Sequence, residues 1–230
     1  MPTITFAGQK GGIGKSTLAI SLGAELHLRG HDVLIVDADD EQGTALTWAS
    51  VNAEQPLVGL RDIPPVVRMG DNIRTDLVRV ARGHEITIVD TPGRTGRRAV
   101  HALGQSDLGL LPCGPTGPEM WAMAKTLEQA MDVQAVAAGL RVRGLVTRKQ
   151  VNTVIGRRAA RALTDTGLEV LETELSFRLT YGEAITAGLG PTTYEPHGDA
   201  AREIRWLATE VEQLLGLAKK PTKGGRRAQA

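Results

Sequence analysis

Residues 7–26 read AGQKGGIGKSTLAISLGAEL and place three glycines and two lysines between Lys10 and Lys15. An apolar run, TITFAG, leads into this stretch, and a helix-length segment, residues 16–29, leaves it. Strand, glycine-rich loop and helix in that order make a cradle for phosphate. Glycines let backbone N–H groups turn inward, and the helix N-terminus adds partial positive charge. Lys15 would reach the β- and γ-phosphates and Ser16 would offer an oxygen to Mg²⁺, with Gly11, Gly12, Ile13, Gly14 and Thr17 completing the cradle. The stretch misses the strict G-x-x-x-x-G-K-[ST] pattern, because Gln9 stands where the first glycine belongs. A glycine-rich turn without a ligand is the competing reading. Neither accounts for the second lysine, Lys10.

Four more apolar runs, DVLIVDA, EITIVDT, SDLGLLPCG and LRVRGLVT, are short and continuous enough to be strands buried on both faces. Helix-length segments separate them at residues 44–50, 70–82, 95–104 and 118–138, and another follows at 153–163. This alternation predicts an α/β fold, a doubly wound, mostly parallel sheet with helices on both faces and ligand loops at the carboxyl ends of the strands. A last helix over residues 199–217, with Ile204, Leu207, Val211, Leu214 and Leu215 at helical spacing, closes the domain. Residues 51–65 are the least defined, with PLVGL a candidate extra strand. One domain over residues 1–218 is expected, followed by a basic tail, residues 219–230 (KKPTKGGRRAQA), without the apolar periodicity to order itself.

Of the 27 basic residues five lie in that tail, so residues 1–218 carry 22 against 26 acidic ones, a net of −4. Cys113, the single cysteine, excludes an intrachain disulfide and a cysteine-ligated cluster and points to a reducing compartment. No apolar run approaches the ~18 residues of a membrane span, and the N-terminus lacks a basic leader, so a soluble cytoplasmic protein is expected.

Carboxylates follow two of the strands, in IVDADDEQG and IVDTPGR. Beside a phosphate loop they can hold the water shell of Mg²⁺, which binds few protein ligands directly. Asp90 is the strand-end candidate. Asp37 and Asp39 point to one side if strand geometry persists, giving a metal set of Ser16, Asp37, Asp39 and Asp90, while Asp40 and Glu41 face solvent. For any one of these acids the alternative is a helix cap.

These motifs resemble the ParA-type partition ATPases, in the deviant-Walker group that includes the MinD cell-division ATPases, and the resemblance covers nearly the whole body. KGGIGKS matches the family's K-G-G-x-G-K-[ST], where a preceding Gln is common. The resemblance implies that Lys10 is a signature lysine reaching across an ATP-sandwich homodimer to the phosphates of the other subunit. It makes Lys10, Lys15 and Asp39 the catalytic set, with Asp39 orienting the attacking water. DADDEQGTALTW resembles the D-x-D-P-Q switch, with Asp40-Glu41 in place of the single Pro; DTPGR resembles the second switch, and MWAMAKTLE a segment of short members. YEPHGDAAREI resembles the loop and helix that close over adenine, with Gly198 at a common Ser. The chain thus resembles the short subgroup without an N-terminal helix-turn-helix domain. DTPG also fits the D-x-x-G of GTPases, but VTRKQ offers no acid where [NT]-K-x-D would read guanine. Adenine is favoured, with Thr147 and Arg148 beside the base and Pro196 opposite.

Between residues 141 and 161 lie Arg141, Arg143, Arg148, Lys149, Arg157, Arg158 and Arg161, and no acid. On the helix beginning near Thr153, Ile155, Ala159, Ala162 and Leu163 share one face, and Arg157, Arg158 and Arg161 the other. A solvated face is the ordinary meaning of such a stripe; without compensating acids, contact with duplex DNA backbone fits better, extended by Arg94, Arg97 and Arg98. Trp121, Met120 and Met123 are assigned to the core or a dimer contact. The resemblance then implies ATP and Mg²⁺ as cofactors, a homodimer formed on ATP binding, nonspecific double-stranded DNA, and a ParB-like centromere-binding or cargo adaptor protein as partners, in a nucleoid-associated cytoplasmic location. Two alternatives share the fold. A MinD-like membrane ATPase would want an amphipathic C-terminal tip, which the tail does not provide, and a dethiobiotin-synthetase-like enzyme would need neither Lys10 nor the stripe.

Overall fold

The structure, a computed structural model, describes residues 1–54, 63–93 and 96–217. Among them are six strands, β1 (Thr3–Phe6), β2 (Val33–Asp37), β3 (Val66–Arg68), β4 (Ile86–Asp90), β5 (Leu108–Cys113) and β6 (Arg141–Val146), all paired in parallel in the order β3-β2-β4-β1-β5-β6. The doubly wound parallel sheet is as the sequence predicts. The helices are α1 (Lys15–Leu28), α2 (Thr44–Glu54), α3 (Ile73–Ala81), α4 (Arg97–Leu103), α5 (Gly117–Val136), α6 (Val154–Thr164), α7 (Leu179–Thr186), α8 (Pro191–Tyr194) and α9 (Asp199–Leu215).

Period-2 alternation on each strand sorts the core into two layers. Ile4, Phe6, Ile86, Ile88, Leu108 and Leu110 face α1, α7 and α9, and Ile35 on the same side meets Ala45 and Trp48 of α2. Leu34, Val36 and Val89 face α3 and α4, and Leu111, Val142 and Val146 face α5 and α6. Because both faces are covered, the central strands read as unbroken apolar runs. Helix α1 lies against the sheet at Gly23, where an added Cβ would fall 2.8 Å from the Ile35 side chain.

The third strand differs from expectation. PLVGL lies outside the described residues, and the strand is Val66–Arg68, three residues after two prolines on the half-exposed sheet edge. Helices α7 and α8 were not expected. The tail, residues 219–230, lies outside the described residues, as does Arg94. On α6 the buried face is Gly156, Ala159 and Leu163, whereas Ile155 and Ala162 are exposed. Met123 is buried, but Trp121 is 76% exposed and does not belong to the core.

Candidate functional site

Because β1 ends at Phe6 in the centre of the sheet, the loop over residues 7–14 emerges between β4 and β5, where the strand order reverses. Gly12 (φ 74°) and Gly14 (φ 96°) adopt left-handed backbone that a side chain would strain. Gly14 is also the N-cap of α1, so no side chain caps the helix and no acid sits in its first turn. The amides and positive end of α1 thus face the loop uncompensated. Lys15 is buried, and its Nζ donates to the Lys10 carbonyl at 3.3 Å. Burial lowers its pKa, and Asp90 and Asp39 oppose that shift.

Asp90 ends β4, fully buried, and among the described residues neither of its carboxylate oxygens has a hydrogen-bond partner. Burial is the main cause that pushes its pKa up to about 7. The Ser16 hydroxyl, which approaches without completing a well-directed hydrogen bond, and the Lys15 ammonium favour its ionised form, while Asp37 and Asp39 oppose it. A buried carboxylate without donors beside a serine hydroxyl is a donor set suited to Mg²⁺, so Ser16 and Asp90 fit the ion.

The other two acids of the expected metal set separate. Strand geometry stops at Asp37, whose Oδ1 accepts from Asp39 N (3.1 Å) and whose Oδ2 accepts from Ala45 N (3.0 Å) and Leu46 N (3.1 Å). Asp37 therefore caps α2 and is not among the cleft-lining residues, although its charge still acts on Asp90. Asp39 does line the cleft, with its Oδ1 accepting from the amides of Glu41 and Gln42, both at 3.2 Å. Among the described residues no group of three or more His, Cys, Asp or Glu converges on a metal position.

The cleft has a volume of about 990 Å³ and runs from Lys15, Ser16 and Thr17 past Asp39 to Thr91 and Gly93. Thr91 Oγ1 donates to the Phe6 carbonyl at 2.7 Å, and a Cβ on Gly93 would lie 3.0 Å from Gly11 Cα, so this second loop packs on the first. Gly12, Gly14 and Thr17 also border a second cavity of about 300 Å³, walled by Thr147, Arg148 and residues 175–178. A nucleotide with its phosphates in one and its base in the other would span both. The Thr147 hydroxyl is buried at this wall, without a partner among the described residues. Arg148 (φ 53°) is anchored by Nη1 to the Gly12 carbonyl at 3.2 Å, and its guanidinium lies 5.8 Å from the Phe177 ring centroid. Pro196 is exposed between α8 and α9 and does not line this cavity, whose remaining wall comes from the segment preceding α7, bonded alongside Thr147 through Val146 and Lys149.

Sequence reasoning missed what holds that wall. Glu203 of α9, 5% exposed, accepts from Ser176 N (3.0 Å), Tyr181 Oη (2.9 Å), and Arg178 Nε (3.0 Å) and Nη2 (2.9 Å). The Tyr181 hydroxyl is pushed up, first by burial and then by the Glu203 charge. The only early signal was acidic Glu203 within the buried stripe of α9.

Lys10 is exposed and has no ion-pair partner among the described residues. Glu119 lies close enough to feel it. Burial pushes that carboxyl up, but bonds from Thr116 and the charges of Lys10 and Arg148 outweigh burial and leave it lowered. Of the basic run, four residues are engaged: Arg143 with Glu169 (2.5 Å), Lys149 with Glu174, Arg141 with the Leu214 carbonyl, and Arg148 with Gly12. This shrinks the expected patch, since folding brings acids to it from distant segments. Arg157, Arg158 and Arg161 stand exposed on α6, without ion pairs among the described residues.

Residues 4–191 match the family described as the CobQ/CobB/MinD/ParA nucleotide binding domain. The ParA protein of Rhizobium radiobacter is 27% identical over 199 residues, covering 82% of this chain and 84% of the relative. Maintenance of carboxysome distribution protein A from Halothiobacillus neapolitanus is 26% identical over 216 residues, covering 91% and 95%. Among solved structures, the septum site-determining protein MinD of Pyrococcus horikoshii, complexed with Mg-ADP, superposes with a TM-score of 0.71 at 19% identity over 94% of this chain and 98% of that one.

Proposed function

Because the chain belongs to the CobQ/CobB/MinD/ParA nucleotide-binding family, as an ATPase of its ParA type that takes ATP and Mg²⁺, we propose that it positions DNA or another cargo by an ATP-switched dimer. ATP joins two copies face to face, the dimer binds duplex DNA without sequence preference, and a ParB-like or other cargo-bound adaptor stimulates hydrolysis and release. The observation that carries this reading is Lys10, a cation at the phosphate loop, exposed and free of ion pairs among the described residues. A second subunit's phosphates would neutralise it.

Within one subunit Lys15 and the amides opening α1 bind the phosphates, and Ser16 and Asp90 hold the metal, with Asp39 facing the same cleft to orient water. Mg²⁺, when bound, supplies charge neutralisation on the phosphate oxygens; the rest is positioning. Thr147 offers its unpartnered hydroxyl to the base. Arg157, Arg158 and Arg161 present charge to DNA phosphates. Among the described residues no helix is long and apolar enough to cross a membrane.

Lys15→Ala should abolish ATP binding. Lys10→Ala should bind ATP as a monomer and fail to dimerise, judged by size-exclusion chromatography with a slowly hydrolysed ATP analogue. A Lys10→Ala protein that dimerises like wild type would sink the reading.

A further inference from the structure

The mouth of the phosphate cleft is lined by four acids, Asp39, Asp40, Glu41 and Asp71, and by two arginines at the start of α4, Arg97 and Arg98. Arg98 is held from two sides. Its Nη1 lies 2.7 Å from Asp40 Oδ2 and donates to the Ala38 carbonyl at 3.3 Å, while its Nε pairs with Asp71 Oδ1 at 2.7 Å. One guanidinium thereby joins three segments that leave three adjacent strands, β3, β2 and β4. Asp40 is also one of the two residues, with Glu41, that stand where the resembling switch motif carries a single proline, and the fold gives its carboxylate this one ion-pair partner among the described residues. Gly70, against which Asp40 packs, leaves room for it: a Cβ there would lie 3.2 Å from Asp40 Oδ2.

The pair is partly solvated, with the Arg98 and Asp40 side chains 24% and 38% exposed, so its net contribution to the fold is small. A γ-phosphate carries more charge than a carboxylate and matches the planar fork of a guanidinium equally well. In a cleft crowded with acids, Arg98 is the cation already oriented toward an anion and bound to one that can be displaced. We propose that Arg98 is a binding residue that tells triphosphate from diphosphate: the γ-phosphate takes the guanidinium from Asp40 and so frees the loop carrying Asp39. The exchange makes Asp40 a built-in competitor of ATP.

This inference rests on reading the cleft as an ATP site, and the test separates the two. Calorimetry on the full chain would compare ADP with a non-hydrolysable ATP analogue. Arg98→Ala should lower triphosphate affinity about tenfold, the loss of one charge-assisted bond, and leave ADP affinity nearly unchanged. Asp40→Asn should shift triphosphate affinity the opposite way, upward several-fold, again without moving ADP. Placed in the Arg98→Ala background, Asp40→Asn should add nothing. A gain that persists there, or equal effects on both nucleotides, would mean that charge alone acts and overturns the assignment. Should Arg98→Ala not fold, Arg98→Gln takes its place in the same comparison, and Asp40→Asn should again add nothing in that background. If wild type binds neither nucleotide, the ATP reading fails and this one with it; if Lys15→Ala loses both while Arg98→Ala binds both like wild type, only the Arg98 assignment falls.

Discussion

Asp90 carries an ionisable group into a fully buried place and leaves both of its oxygens without donors. Its pKa is raised from 3.8 to about 7, chiefly by burial. The folded state therefore holds the proton more tightly than the unfolded chain. No penalty applies where both states are protonated; it grows as pH rises from about 4 and is complete above about 7. In metal-free buffer with a chelator, Asp90→Asn should melt higher than wild type at about pH 8, and the difference should close toward pH 4. Thermal scans across that range measure it. Adding Mg²⁺ and ATP should reverse the order, since the orphan carboxylate then gains its cation and the amide does not. Asp37 makes the contrast at the same scale: a strand-end acid of similar burial whose charge is consumed by two helix amides. Sequence alone could not separate these two, because each ends an apolar run with Asp; what differs is whether a helix starts close enough to point its amides back.

At the scale of elements, the phosphate loop with α1 was legible because the local backbone sets it: glycines where φ is positive, a lysine and a serine opening the helix. The base wall was not. It depends on α9 reaching back 25 residues from Glu203 to Arg178, a distance no periodicity encodes. Glu203→Gln should weaken adenine-nucleotide binding about tenfold, by loosening four donors at once, and leave pyrophosphate binding to the phosphate cleft unchanged. Titrations with fluorescent ADP and with pyrophosphate would decide; equal losses would make Glu203 a matter of global stability. The edge strand β3 escaped notice because two prolines and partial exposure broke its apolar run. On α6 the three arginines are exposed and Ala159 and Leu163 buried as their spacing predicts, whereas Ile155 and Ala162 face outward because the first turn projects Val154 and Ile155 into solvent. If Arg157, Arg158 and Arg161 meet DNA phosphates, the triple alanine variant should bind every duplex more weakly. The logarithmic salt slope should fall by about 0.9 per lost contact, with DNA-free ATP hydrolysis retained. Filter binding of two unrelated duplexes over a salt series would show this, and an unchanged slope would return the stripe to solvent.

For the molecule as a whole, the two-layered core and the strand order put every candidate nucleotide contact on one edge of the sheet, the edge where the carboxyl ends of β1, β2, β4 and β6 converge. That arrangement was legible in outline from alternating strands and helices. The cross-links over the edge, Arg98 to Asp40 and Asp71 and Arg148 to Gly12, arise only when separate crossovers meet, which is why residues that looked like one continuous basic patch divide into clamps and a free stripe. The central place of β1 has a consequence for the order in which the protein is made. Thr3 pairs with Thr87 and Ile4 with Leu108, so β1 leaves the ribosome before either of its neighbours, β4 and then β5, has been made. Parallel pairing offers no local hairpin to shelter it meanwhile. The glycine-rich loop is thus translated before the strands that hold it and acquires its shape only after them, and a nascent chain stopped before β5 should carry the whole phosphate-loop motif yet have no affinity for ATP.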